Sequence, residues 1–127
     1  MLSRPSVLVV DRSAETREVL RTALEGHGAQ IYEATRADEA LRLARKHRPD
    51  VIVLDLEIAE AASEDVRAAL GDPNATAAPI VLLGTARRIK KDFPSGQFVA
   101  KPYDYGPLVR KIERLLDEAR QAGNRGA

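Results

Sequence analysis

The sequence predicts an α/β fold, a parallel sheet wound with helices on both faces, and three observations carry that prediction. Short apolar runs alternate with segments of helical period along nearly the whole chain. The runs at 6–11, 50–55 and 79–84 are close to continuous Val, Ile and Leu, the pattern of strands buried on both faces. Strand–helix alternation in turn implies right-handed crossovers, hence parallel strands between two helical layers. The 127 residues suit one domain, and 44% hydrophobic residues supply a core at that size. Aromatic residues make up only 4%, so the core must be aliphatic.

Strands are expected at 6–11, 29–34, 50–55, 79–84 and 97–100. Ser13 suits the N-cap of a first helix carrying Val19, Leu20, Ala23 and Leu24 and stopping at Gly26-His27-Gly28. Thr35 with Asp38 is expected to cap a second, carrying Ala40, Leu41 and Ala44 and ending before Pro49. Ser63 opens a weaker third, with Val66, Ala69 and Leu70, ending at Gly71-Asp72-Pro73. Between 86 and 95 only Ile89 and Phe93 form an i, i+4 apolar pair before Pro94, which predicts a short or degenerate fourth helix. The last helix is the clearest. Leu108, Val109, Ile112, Leu115, Leu116 and Ala119 make one stripe, with Pro107 in its first turn. The domain is expected over 1–120, and the polar, Gly-containing stretch 121–127 is expected to fray or to open a linker.

Composition excludes several function classes. Lys+Arg 20 against Asp+Glu 19 gives a formal charge of +1, unlike the basic footprint of a dedicated nucleic-acid binder. The basic run at 87–91 is therefore read as a solvated face. The absence of cysteine rules out disulfides and thiolate metal sites, and two histidines argue against a His-rich one. His27 and His47 stand at expected helix ends, where cap and dipole roles come first. No run approaches the roughly 18 apolar residues of a membrane span. The N-terminus has neither a signal-length apolar region nor a small-residue cleavage site, so the chain is read as soluble and cytoplasmic.

The chemistry is expected at the carboxyl ends of the strands, where an open α/β sheet has its functional crevice. Asp11 ends the first strand and Asp55 the third; Thr85 ends the fourth and Lys101 the fifth. Two carboxylates, a hydroxyl and a lysine suit a carboxylate nucleophile that accepts a phosphoryl group, with the lysine on the phosphoryl oxygens. Pro102 disfavours helix at Lys101 and helps aim it. The plainer alternatives are an Asp55 that caps the following loop and a Lys101 that is simply solvated.

Four segments, Val7-Leu-Val-Val-Asp11, Asp50-Val-Ile-Val-Leu-Asp55-Leu, Pro79-Ile-Val-Leu-Leu-Gly-Thr-Ala86 and Phe98-Val-Ala-Lys101-Pro102-Tyr103, resemble the receiver domain of two-component response regulators. The resemblance runs over about residues 6–119 in unbroken element order. It implies a flavodoxin-like, doubly wound sheet of five parallel strands in order 2-1-3-4-5. It further implies that Asp55 accepts phosphate from a sensor histidine kinase or phosphotransfer protein, that Asp11 helps hold Mg²⁺, and that Lys101 contacts the phosphoryl group. Phe98 falls where the family places an aromatic that switches rotamer on activation. The implied partners are the kinase and a downstream protein or fused output domain, with homodimerisation through the fourth-helix face.

The chain also departs from the family pattern. The family ends its first strand with two acidic residues; here Arg12 follows Asp11. That exchange removes a ligand and adds a positive charge, leaving a weakened metal site of Asp11, Asp55 and the Glu57 backbone carbonyl. The family's Met-Pro-Gly turn after the phosphoacceptor is replaced by 57–63, which has neither Pro nor Gly and favours an early helix start. Counted from Pro79, Gly84 takes the place of the family's hydroxyl residue, with Thr85 one later. The first reading is thus a phosphoryl-accepting regulatory module rather than an enzyme, and the second a pseudo-receiver that binds partners without phosphorylation. Arg12 either pairs with Asp11 or Asp55 in place of the missing cation or points to solvent. A flavin or hydrolase enzyme fits poorly: residues 11–16 have no glycine and two acidic side chains, and no G-x-S-x-G elbow is present.

Overall fold

The computed structural model describes residues 4–84, 91–100 and 104–125. In order these form β1 (Ser6–Val10), α1 (Ala14–Gly26), β2 (Gln30–Ala34), α2 (Ala37–His47), β3 (Val51–Asp55), α3 (Leu56–Ala61), α4 (Glu64–Gly71), α5 (Pro73–Thr76), β4 (Ile80–Leu83), β5 (Gln97–Val99) and α6 (Tyr105–Arg125). All four strand pairings are parallel and the sheet order is β2-β1-β3-β4-β5. The expected fold class and strand order are therefore those observed.

Alternation along the strands divides the core in two. Leu8, Val10, Ile52, Leu54, Ile80 and Leu82 face one side, where Ala40, Leu41 and Ala44 of α2 pack with Leu56, Ile58, Leu70 and Phe93. Val7, Val9, Val51, Val53, Val81 and Leu83 face the other, against Leu20 and Leu24 of α1 and Leu108, Ile112, Leu115 and Leu116 of α6. The apolar stripe of the last helix is thus core, as its spacing predicts. Each such side chain contributes about 1.5–3 kcal/mol by leaving water.

Caps explain where the helices begin. The Ser13 hydroxyl accepts from Thr16 N–H at 3.1 Å and that of Ser63 from Val66 N–H at 3.2 Å, as expected. Thr35 does not cap α2. Arg36 is the N-cap and makes no side-chain cap bond. The helix starts one residue later than the Thr35-Asp38 pairing requires, so Thr35 lies one position too early for its hydroxyl to serve. Its backbone N–H instead donates to Glu39 Oε1 at 3.4 Å, and Asp38 Oδ1 accepts from Glu39 N–H.

Three further differences concern helix extent. α3 begins directly after β3, realising the early start that the loop lacking Pro and Gly favours. Gly71-Asp72-Pro73 ends α4 but also starts α5, because Asp72 accepts from Asn74 N–H at 2.9 Å and Pro73 fits a first helical position. α6 continues through the tail expected to fray, as far as Arg125. The short fourth helix expected over 86–95 falls largely outside the described residues; the described part holds a 3₁₀ turn at Lys91 and Asp92 and then Phe93, buried in the core. Among the described residues no helix is long and apolar enough to cross a membrane.

Gly84 ends β4 at φ +134°, a conformation that side-chain-bearing residues rarely adopt, and a Cβ there would stand 3.2 Å from Leu56 Cβ. Gly84→Ala is expected to lower the unfolding free energy by about 1–3 kcal/mol in urea denaturation. Gly26→Ala, at a helix end with nothing within 4 Å of the added methyl, is expected not to lower it.

Candidate functional site

The site is set by the two central strands. β1 and β3 end their shared register at Val10 opposite Leu54, and Asp55 continues to Leu83 of β4. Asp11 and Asp55 therefore stand beside one another at the carboxyl edge, where strand order reverses between β1 and β3. Both are buried, at 2% and 4% exposure. Neighbouring strands lie about 4.8 Å apart, so two carboxylates share a small, largely desolvated volume.

The same local device holds each. Asp11 Oδ1 accepts from Ser13 N–H at 2.9 Å, and Asp55 Oδ1 accepts from Glu57 N–H at 2.8 Å. In these short loops an aspartate accepts from the N–H two residues on, which helps to aim each carboxylate. Around Asp11, its N–H donates to Ala34 O at 3.1 Å and its carbonyl accepts from Arg17 Nη1 at 2.7 Å. Arg17 and Arg21 both pair with Glu33, at 3.1 and 2.8 Å, which anchors that guanidinium on β2. The starts of α1 and α6 are joined by a 3.0 Å bond between the Thr16 and Tyr105 hydroxyls.

The other expected site residues are distributed unevenly. Thr85 and Lys101 lie outside the described residues. Gly84, at the family's hydroxyl position, is closely covered by Leu56, itself 1% exposed. Phe98 pairs in register with Leu82 and packs, partly buried, on the α2 side of the sheet. Glu57 is exposed in the first turn of α3, where carbonyls point along the helix axis toward its C-terminal end. Arg12 is exposed and, among the described residues, pairs with neither aspartate. It lines a groove of about 310 Å³ together with Thr35, Arg36, Ile58, Ala62 and Val66.

The donors can be tested against Mg²⁺. This ion commonly takes one or two carboxylates from a protein, the rest of its octahedron being water and substrate phosphate. Asp11 and Asp55 supply that minimum and fit. The position of a second strand-end acid holds Arg12. Among the described residues no group of three or more His, Cys, Asp and Glu side chains is arranged around a metal position.

Two features escape sequence reasoning. Asp55 is itself the N-cap of α3, a role signalled only by the helix-forming string Leu56-Glu-Ile-Ala-Glu-Ala61. Arg67, on α4, contacts the end of α3 and also Asp92, 25 residues away in sequence, and nothing local marks it.

Residues 7–113 match the family described as response regulator receiver domain. The transcriptional regulatory protein ResD of Bacillus subtilis is 31% identical over 91% of this chain and 49% of its own length. The polar-differentiation response regulator DivK of Brucella anthropi is 26% identical over 90% of this chain and 98% of its own. This chain spans about half the length of the transcriptional regulators it matches. A receiver domain protein from Methanospirillum hungatei superposes with a TM-score of 0.77 at 18% identity, covering 94% of this chain and 99% of that one, a likeness of fold. Receiver domains are regulatory modules of two-component systems rather than conventional enzymes, and the chain belongs to the response regulator receiver domain family.

Proposed function

We propose that this domain accepts a phosphoryl group on Asp55 from a phosphohistidine of a sensor kinase or phosphotransfer protein in the cytoplasm. The supporting observation is the pairing of two buried aspartates, Asp11 and Asp55, at the ends of adjacent central strands. An Asp55 carboxylate oxygen attacks phosphorus, the P–N bond to the imidazole breaks, and its electron pair stays on the ring nitrogen. Asp55 Oδ1 accepts from Glu57 N–H, which orients the carboxylate for that attack. Lys101 and the Thr85 hydroxyl would contact the phosphoryl oxygens, and Phe98 would change rotamer as the domain switches. A bound Mg²⁺ would supply charge neutralisation between the phosphoryl oxygens and the two carboxylates. The altered charge shifts a two-state equilibrium that a downstream protein or a fused output domain reads.

A second reading is a module that binds its partner without phosphorylation. It draws on the engagement of Asp55 Oδ1 as a helix cap and on Arg12 where an acid would stand.

Acetyl phosphate with Mg²⁺ separates the two. Intact mass spectrometry is expected to show one phosphoryl increment on the wild-type chain and none on Asp55→Asn. An unmodified wild type would sink phosphotransfer in favour of the binding module. Arg12→Asp is expected to tighten Mg²⁺ binding by at least about tenfold, or ~1.4 kcal/mol, in a calorimetric or NMR titration. An unchanged affinity would show that Arg12 does not suppress the metal.

A further inference from the structure

Gly84 and Asp92 flank positions 85–90, and α3 is linked to both, directly at Gly84 and through Arg67 of α4 at Asp92. Leu56, the first residue of α3, covers Gly84. The other end of α3 is reached by Arg67: its Nη1 donates to the carbonyls of Ala62 at 3.0 Å, Ala59 at 3.3 Å and Glu60 at 3.5 Å. The same guanidinium donates through Nε to Asp92 Oδ2 at 2.9 Å. Its side chain is only 13% exposed, so these bonds compete weakly with water.

The Asp92 end is equally fastened. A Cβ on Gly71 of α4 would overlap the Asp92 carbonyl oxygen, so helix and segment are in backbone contact there. Phe93, the next residue, is 2% exposed in the core. At its start, α3 is capped by Asp55. One short helix therefore has the candidate phosphoacceptor at one end and, at the other, a guanidinium shared with the segment that leads into β5.

We infer that Arg67 is a positioning residue that couples the state of Asp55, through α3, to Asp92 and Phe93. The coupling runs along packed and charged contacts between rigid pieces, and α3 is the piece that both ends bias. It does not need a hydroxyl at position 84, which is Gly84. The inference rests on Asp55 being the residue whose state is set, but it does not depend on how that state is set.

The test is a double-mutant cycle read by ¹H–¹⁵N NMR on the full chain. Asp55→Ala removes the cap, and protection of the α3 amides against exchange is expected to fall about fivefold, the equivalent of ~1 kcal/mol. The amides of Asp92 and Phe93 are expected to shift with it, while those of α1 beyond its first turn stay in place. In an Arg67→Gln background, Asp55→Ala is expected no longer to move Asp92 and Phe93, and Arg67→Lys to restore part of the shift. Equal shifts with and without Arg67, or none in the wild-type background, would overturn the inference. If Arg67→Gln fails to fold, Asp92→Asn leaves Arg67 on the carbonyls while removing the charge, and it should reduce the Phe93 shift in the same way. Phosphoryl adduct formation is scored separately. An adduct without coupling defeats only this inference, and coupling without an adduct supports it while defeating phosphotransfer.

Discussion

The position of Asp55 is set by burial rather than by anything polar. Val51, Ile52, Val53 and Leu54 are all fully buried and in register with β1, and Ile52, Val53 and Leu54 with β4 as well. Sliding β3 by one residue would exchange every side chain between the two cores and lose the packing of both. The strand is therefore fixed, and with it the carboxylate at its end. Because β1 is buried in the same way, Asp11 is fixed opposite. Two acidic groups are brought together by the burial of eight aliphatic residues in the strands that precede them.

From that constraint the rest of the carboxyl edge follows. With no Pro or Gly after Asp55, the chain turns directly into α3, and its first residue, Leu56, has to be buried. It lies over the end of β4, and a Cβ at position 84 would stand 3.2 Å from its Cβ, close enough that one of the two must shift. Gly84 and the unusual loop look like separate departures from the family in the sequence. In the structure they are one packing solution. The same helix start places Glu57 in the first turn of α3. Arg12 is a different matter. It is exposed at a groove rim and, among the described residues, makes no ion pair with either aspartate.

What the sequence revealed divides along a physical line. Strands buried on both faces advertise themselves as unbroken aliphatic runs, and hydroxyl caps such as Ser13 and Ser63 act over three residues, so both were legible. The cap of α2 was misplaced by one residue because Thr35 and Arg36 are both plausible entries, and packing of Ala37 and Ala40 decides between them. α3 was only foreshadowed, since a six-residue helix has little propensity of its own and is held by Leu56, Ile58 and Ala59 in the core. Arg67 was invisible. Its four acceptors come from two distant stretches, and only the folded chain puts them around one guanidinium.

The strongest argument for chemistry at this edge is that the fold does not require it. As caps, asparagine or serine would satisfy Ser13 N–H and Glu57 N–H about as well as aspartate does. Either would avoid placing a second formal charge beside the first in a desolvated crevice. An Asp at one of the two strand ends could be read as a cap and nothing more. At both, buried to 2% and 4% at the ends of adjacent central strands, they place two acidic groups where capping alone would need none. Under the proposed function, that pairing is what a cation, or a phosphoryl group accompanied by one, would engage.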